Sequence, residues 1–219
     1  FQVNKCTDDL LNVFLNDVYA ANELGSDTDV VFTDFSKAYD TVWHNGLIYK
    51  LKTFFRIDGN LLYAVVAFLR GRQIRVVLKN GASTWKPVRV GLPQGSSLSP
   101  ILYILYTNDF SVPDRFARFV RLGLFADDTA IWTKPANKDM LRYQMLQRTI
   151  NSFDDWCITW KLATNATKCK SLTITNTKEL DLHASMAYKI GGQELERVQV
   201  FKYLGLYIDT KLKFNEHMA

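Results

Sequence analysis

The sequence predicts an α+β fold in which a split βαβ sheet carries helices on one face. Three observations favour it. Segments with helical apolar spacing alternate with short strand-like runs, and two pairs of strands are joined by turns short enough for β-hairpins. In addition, 47% of the 219 residues are hydrophobic, which is enough for one sizeable core.

The first forty residues predict one helix and one strand. Residues 7 to 22 carry apolar side chains three and four positions apart, and Thr7 is a suitable cap for that helix. Residues 30 to 32 form a β-branched and aromatic run that is typical of a buried strand. This strand delivers Asp34 at its end.

The next segment predicts two helices and a basic hairpin. Helical spacing recurs in residues 39 to 55 and 61 to 69. Residues 73 to 79 then alternate, with Ile74, Val76 and Leu78 on one face, and Asn80-Gly81 follows as a hairpin turn. The outer face of this hairpin is predicted to be basic, through Arg72, Arg75 and Lys79.

The second half predicts a second hairpin between two helices. Ser99-Pro100 opens the first of these helices, and strands at 122 to 125 and 129 to 132 flank Asp127-Asp128. The carboxylates therefore lie at a hairpin tip. A long amphipathic helix follows to about residue 164, then a strand at 171 to 175, a turn at 191 to 192 and a last strand at 203 to 208.

The composition indicates which class of partner the protein binds and in which cellular compartment it lies. Lys and Arg total 27 against 22 Asp and Glu, so the net charge of +5 favours a polyanionic partner. Three dispersed cysteines, Cys6, Cys157 and Cys169, suit a reducing compartment and lack zinc-site spacing. We expect an intracellular protein without a membrane span, because no apolar run approaches about 18 residues. The start at Phe1 predicts a piece of a longer protein.

The acidic residues at the strand ends are the candidate catalytic groups. Asp34 and the pair Asp127-Asp128 would repel one another strongly unless a cation joined them. Magnesium prefers such hard oxygen ligands, and two ions about 3.5 to 4 Å apart suit an in-line phosphoryl displacement. Taken singly, each acidic site is better explained as an ordinary turn or a helix cap.

The text around these residues resembles the A, B and C motifs of reverse transcriptases. The three motifs are FTDFSKAYD at 32–40, GLPQGSSLSP at 91–100 and LFADDTAIW at 124–132. Flanking text, WHNGLIYKL, LYTNDF and DWCITWKLATNATKCKSL, is similar to that of the non-LTR retrotransposon enzymes, LINE-like and jockey-like. The resemblance implies a polymerase palm with a ferredoxin- or RRM-like sheet, partial fingers and the start of the thumb connection.

The resemblance also implies residue roles. Asp34 and Asp127 would hold two Mg²⁺ ions, or Mn²⁺, with Asp128 assisting. Lys168, in the fourth motif, would protonate the leaving pyrophosphate, although a surface lysine is the simpler interpretation. The predicted substrate contacts are Phe35, Ser36, Tyr39, Gln94 and Gly95, and the predicted primer grip is Tyr203, Leu204 and Gly205.

For two of these groups the sequence leaves a second interpretation open. Tyr39 would exclude a 2′-hydroxyl from the nucleotide, yet it also fits the buried stripe of its helix. The FKYLGL run that resembles the primer grip equally fits an ordinary buried strand.

The resemblance divides the chain into residues 1–183, partial fingers plus palm, and residues 184–219, the primer-grip hairpin and truncated thumb connection. The opening FQVNKCTDDLL departs from the family text, and the upstream fingers motifs are absent from the sequence.

The activity implied is RNA-directed DNA synthesis on an RNA template, with a DNA primer and dNTP, in the nucleus and cytoplasm. One alternative is a silent nucleic-acid-binding remnant of a mobile element. A metal-dependent phosphohydrolase is another, but it leaves the Gly-Leu-Pro-Gln-Gly turn unexplained.

Overall fold

The computed structural model describes residues 6–135, 139–175 and 187–218. Its α-helices are α1 Thr7–Glu23, α2 His44–Thr53, α3 Gly59–Leu69, α4 Leu98–Thr107, α5 Asp114–Ala117, α6 Asp139–Thr159 and α7 Asn215–Met218, with a 3-10 helix at Ala38–Thr41. Its strands are β1 Thr28–Thr33, β2 Gln73–Ile74, β3 Val77–Leu78, β4 Gly81–Ala82, β5 Lys86–Pro87, β6 Val120–Phe125, β7 Asp128–Thr133, β8 Lys170–Ile174, β9 Lys189–Ile190, β10 Gln193–Glu194, β11 Glu196–Arg197, β12 Val200–Tyr203 and β13 Leu206–Asp209.

The chain forms two compact units. The sheet unit comprises Phe1–Ser36, Phe110–Ile158 and Thr164–Ala219, and the helical unit comprises Lys37–Asp109 and Thr159–Ala163. The boundary predicted between residues 183 and 184 lies outside the described residues. Among the described helices, none combines the length and apolar character needed to cross a bilayer.

The sheet unit is built on a five-stranded sheet in the order β11-β8-β1-β7-β6. Strand β1 is antiparallel to both β7 and β8, and β6 is antiparallel to β7. Strands β1 and β6 therefore run parallel with β7 between them, which is the predicted split βαβ arrangement. Strand β11 adds a parallel edge beside β8.

Both faces of the sheet are covered, whereas helices were expected on one face only. All six residues of β1 are buried, so each face needs a covering layer. On the first face, Phe14 of α1 meets Trp132 edge-on at 5.3 Å, and Phe32 stacks on Phe201 at 4.2 Å. Helix α1 and the β12–β13 hairpin thus cover this face, and α6 covers the other.

The second face contains a buried ionic network around Asp29, which is 4% exposed. Its carboxylate accepts hydrogen bonds from Arg142 Nε of α6 at 3.0 Å, Tyr188 Oη at 2.8 Å and Thr173 Oγ1 at 2.6 Å. Burial, followed by the charge of Asp29, raises the pKa of Tyr188 well above its ordinary value. A buried charge is stable only when it is paired. Because the partners of Asp29 lie on α6 and β8, the network ties these two elements to β1.

In the helical unit, the buried cation is Lys50, which has no exposed side-chain surface. Its ammonium donates to the Tyr106 carbonyl at 2.6 Å and to Asp109 at 2.5 Å. It also lies 3.8 Å from the centre of the Trp160 ring. These contacts join α2 to the end of α4.

Candidate active site at the acidic end of the sheet

Asp34 follows the last residue of β1, and its backbone is held by the turn that precedes β8. Its carbonyl accepts the Asn165 N–H at 2.8 Å, and its own N–H donates to Cys169 Sγ at 3.4 Å. Phe35 forms a bridge with Thr164. The side chain of Asp34 remains 41% exposed, so the backbone is fixed while the carboxylate stays accessible.

One oxygen of that carboxylate, Oδ2, is buried and accepts no hydrogen bond from the residues that the structure describes. The ammonium of Lys168 lies 3.6 Å away, within ion-pair range but too far for a hydrogen bond. Lys168 is itself 66% exposed. A cation therefore stands beside Asp34, and no hydrogen bond from the described residues uses the acceptor capacity of Oδ2.

The acidic hairpin lies at the same end of the sheet as Asp34. The register of β6 with β7 pairs Phe125 with Asp128, so Ala126 and Asp127 form the two-residue tip. Ala126 takes a positive φ of 54° to make this turn. The register of β1 with β7 ends at Thr33 opposite Thr129, and the next residues along, Asp34 and Asp128, lie at the same end of the sheet.

The charges of Asp34 and Asp127 act on Asp128. Burial raises the pKa of Asp128 above its ordinary value, and the charges of Asp127 and Asp34 raise it further. The described residues nevertheless contain no group of three His, Cys, Asp or Glu side chains close enough to hold a metal ion as they stand. The donors fit Mg²⁺ or Mn²⁺ because they are hard oxygens and Asp34 Oδ2 has no hydrogen bond.

The β12–β13 hairpin carries the predicted primer-grip residues. One strand was expected over 203 to 208, but this was wrong, because the chain reverses at Leu204 and Gly205. Both take positive φ, 48° and 89°, which suits a two-residue hairpin turn. Tyr203 is 2% exposed, and its hydroxyl has no hydrogen-bond partner. Burial, followed by the charge of Asp128, raises the pKa of Tyr203.

In the helical unit, several predicted substrate-contact residues share one pocket. Its lining consists of Tyr39, Gln94, Gly95, Ser96, Ser97 and Pro100. The Tyr39 ring stacks on Tyr103 at 4.7 Å, and Gln94 Nε2 donates to Asp40 Oδ1 at 3.1 Å. Gly91 is required here, because a Cβ would lie 2.7 Å from the Asp40 carbonyl oxygen. Motifs A and B therefore meet through Tyr39 and Gln94.

The other two predicted contacts belong to the sheet unit. Phe35 is 7% exposed and its ring lies 5.8 Å from that of Phe153, so its side chain is part of the core. Ser36 is partly buried. For both, the predicted contact involves the backbone and is compatible with this packing.

Two residues of the site were not predicted from the sequence. Cys169 accepts a hydrogen bond from the Asp34 N–H, and Asp40 accepts one from the Gln94 side chain. Burial raises the pKa of the Cys169 thiol, so the group is uncharged near neutral pH. Asp40 lies within the first motif, and its position beside Tyr39 was the available signal. For Cys169 no spacing rule in the sequence pointed to Asp34.

The basic hairpin of the helical unit is present, with its turn shifted by one residue. Leu78 pairs with Gly81, so Lys79 and Asn80 form the turn. All eight residues of β2 to β5 are exposed, and Arg75 lies 4.6 Å over the Trp85 ring. Residues 59 to 108 contain no Asp or Glu and six cations, Arg70, Arg72, Arg75, Lys79, Lys86 and Arg89.

A split βαβ sheet with carboxylates at the ends of its central strands is the arrangement of a nucleic-acid polymerase palm. The family model described as reverse transcriptase (RNA-dependent DNA polymerase) matches residues 2–208. The chain belongs to this family, as the motifs predicted.

The sequence relatives are mobile-element polymerases. The RNA-directed DNA polymerase from mobile element jockey of Drosophila melanogaster is 34% identical over 193 residues, 86% of this chain and 20% of that protein. The jockey polymerase of Drosophila funebris is 30% identical across 100% of the chain and 24% of its own length. The chain thus spans about a fifth to a quarter of these relatives, and the predicted kinship with non-LTR elements is confirmed.

Telomerases are among the solved structures with the same fold. The telomerase of Candida tropicalis in complex with a fragment of telomeric RNA covers 94% of this chain, with a TM-score of 0.62 and 18% identity. That of Candida albicans covers 95%, with a TM-score of 0.63 and 15% identity. The chain covers 32% and 33% of those proteins. The similarity confirms the predicted palm fold.

Proposed function

We propose that this chain is the catalytic palm, with part of the fingers, of an RNA-directed DNA polymerase of a non-LTR retrotransposon. One observation carries the proposal: Asp34 and the Asp127-Asp128 tip lie at one end of the sheet, with an Asp34 oxygen that accepts no hydrogen bond. The chain would act on an RNA template, a DNA primer and dNTP, in the nucleus and cytoplasm.

The reaction joins the primer 3′-oxygen to the α-phosphorus of the dNTP, breaks the bond to pyrophosphate and releases the 3′-hydroxyl proton. Two bound divalent ions, Mg²⁺ or Mn²⁺, would activate the attacking oxygen and stabilise the leaving one. Asp34 and Asp127 would hold them, with Asp128 adjacent. Lys168, which lies beside Asp34, would donate a proton to the leaving pyrophosphate.

The nucleotide-binding residues would act through positioning. The backbone of Phe35 and Ser36 would contact the triphosphate, and the Tyr39 ring, held by Tyr103, would select against a 2′-hydroxyl. Gln94 and Gly95, in the same pocket as Tyr39, would contact the nucleotide or template base. The turn at Leu204 and Gly205 would contact the primer end.

Primer extension by the intact polymerase tests the mechanism. We expect Asp34→Ala and Asp127→Ala each to lower extension of an RNA-templated primer by at least about a thousandfold, because both remove charge needed in the transition state. Asp8→Ala is the matched control, since Asp8 is an acidic residue in the first turn of α1. Near-normal synthesis by either site variant contradicts the mechanism.

We further propose that the basic hairpin contacts the nucleic-acid backbone. Its strands are exposed and its cations have no acidic neighbour in residues 59 to 108. Replacing Arg72, Arg75 and Lys79 with Ala should lower the slope of log affinity against log salt by about two to three. The control is the triple Ala variant of Lys189, Lys211 and Lys213 in the sheet unit. Equal slopes for the two variants would show that the hairpin cations are solvated and do not contact the nucleic-acid backbone.

A further inference from the structure

The sulfur of Cys169 accepts a hydrogen bond from the chain just beyond the end of the β1–β8 ladder. The last pair between β1 and β8 is Phe32 with Lys170, so Asp34 lies two residues past the ladder. At that point the Asp34 N–H donates to Cys169 Sγ at 3.4 Å. Cys169 has no exposed surface, so this contact is shielded from water.

The same short turn supplies the second backbone contact of Asp34. Asn165 N–H donates to the Asp34 carbonyl at 2.8 Å, and the Asn165 carbonyl accepts the N–H groups of Lys168 and Cys169, both at 2.9 Å. The turn is therefore tied to itself as well as to Asp34. Both polar groups of the Asp34 backbone are satisfied by residues 165 to 169.

We propose that Cys169 is a positioning residue, whose sulfur fixes the Asp34 backbone so that the carboxylate is presented toward the Asp127-Asp128 tip. This inference rests on the proposed function, in which Asp34 binds metal. A side chain without an acceptor at this position would leave a buried N–H unpaired, and the Asp34 peptide would move to find a partner. Groups that orient a metal ligand typically affect metal affinity by tenfold or more.

Three variants separate positioning from packing. Cys169→Ala removes the acceptor, and Cys169→Ser keeps an acceptor atom in nearly the same place. Cys157→Ala is the matched control, because Cys157 is a buried cysteine of α6 in the same unit. Circular dichroism and thermal unfolding establish that each variant is folded.

Two measurements on the 219-residue chain test the proposal without catalysis. The first is the hydrogen-exchange rate of the Asp34 amide by NMR, which reports on the contact directly. The second is Mn²⁺ affinity by calorimetry, with Asp34→Ala defining the signal of this site. We expect Cys169→Ala to raise the exchange rate and to weaken Mn²⁺ binding by about tenfold. Cys169→Ser should retain most of the affinity, and Cys157→Ala should match wild type.

Unchanged Asp34 exchange in Cys169→Ala overturns the proposal. Faster exchange with unchanged Mn²⁺ affinity also overturns it, and both results leave the proposed function standing. If Cys169→Ala does not fold, Cys169→Ser decides, and a folded serine variant that loses tenfold in affinity overturns the proposal. A wild-type titration identical to that of Asp34→Ala contradicts the proposed function as well.

Discussion

An aspartate lies near each end of strand β1, Asp29 within the strand and Asp34 directly after it. The surroundings of the two carboxylates differ. Asp29 is 4% exposed and accepts hydrogen bonds from Arg142, Tyr188 and Thr173. Asp34 is 41% exposed at its side chain, and its Oδ2 accepts no hydrogen bond. The carboxylate of Asp29 is therefore fully paired within the protein, whereas that of Asp34 is partly exposed and has only a weak ion pair with Lys168.

This difference separates a carboxylate that is paired within the protein from the one that we propose to bind metal. Asp29 has its charge and its acceptor capacity met by the protein, so it contributes to the fold and offers little to a ligand. Around Asp34 the backbone groups are hydrogen-bonded, whereas the carboxylate has an ion pair with Lys168 at 3.6 Å, which fits the metal-binding role that we propose for it. Alanine substitution should therefore lower the stability of the protein much more at Asp29 than at Asp34.

The largest expected difference in stability is between Asp29→Ala and Asp34→Ala. The first leaves Arg142 buried without its carboxylate, so we expect the free energy of unfolding to fall by about 3 to 5 kcal/mol. The second removes a half-exposed group with one weak ion pair, and we expect a change within about 0.5 kcal/mol. Denaturant unfolding of both variants checks this. Equal losses would erase the distinction between the two ends.

Two buried tyrosines sharpen the comparison. Tyr188 Oη donates to Asp29, so Tyr188→Phe should lower the free energy of unfolding by about 1.5 to 3 kcal/mol. Tyr203 Oη is buried without a partner near the acidic end, so Tyr203→Phe should be neutral or stabilising by up to about 1 kcal/mol. Thermal unfolding of the pair measures this. A destabilising Tyr203→Phe would show that its hydroxyl has a bonding role.

The smallest expected effect is a pH dependence at Asp128. Its pKa is raised in the folded chain, first by burial and then by Asp127 and Asp34. The folded state therefore holds this proton more tightly, and the associated stability is present below pH 3.8 and lost as the pH rises through the folded pKa. Asp128→Asn should be more stable than wild type at neutral pH, with the gap closing in acid. A gap that persists at low pH would assign the effect to packing.

The fold was predictable from the sequence where local signals were strong. The apolar run before Asp34 predicted β1, and the short spacing between the two later runs predicted β6 and β7, although their turn lies at Ala126 and Asp127, one residue earlier than expected. The single strand predicted at 203 to 208 failed because Leu204, not glycine or asparagine, takes the first left-handed position of the turn. Gly205 at the second position was the one turn signal in the residue types.

The parts of the site that the sequence did not reveal depend on long-range contacts. Cys169 lies 135 positions from Asp34 along the chain, and only the pairing of β8 with β1 brings its sulfur to the Asp34 amide. The sequence also did not predict that both faces of the sheet are covered, because the packing of the β12–β13 hairpin on Phe32 is a long-range contact. Tertiary contacts of this kind have no local period to detect.

The absence of Asp and Glu from residues 59 to 108 has a consequence for how a nucleic-acid strand would move over the basic hairpin. A polymerase must advance its substrate by one nucleotide in every cycle. Fixed cations without interspersed carboxylates attract every phosphate alike, so they favour no particular alignment of the strand. We expect such a surface to hold a polyanion firmly while letting it slip forward at little energetic cost.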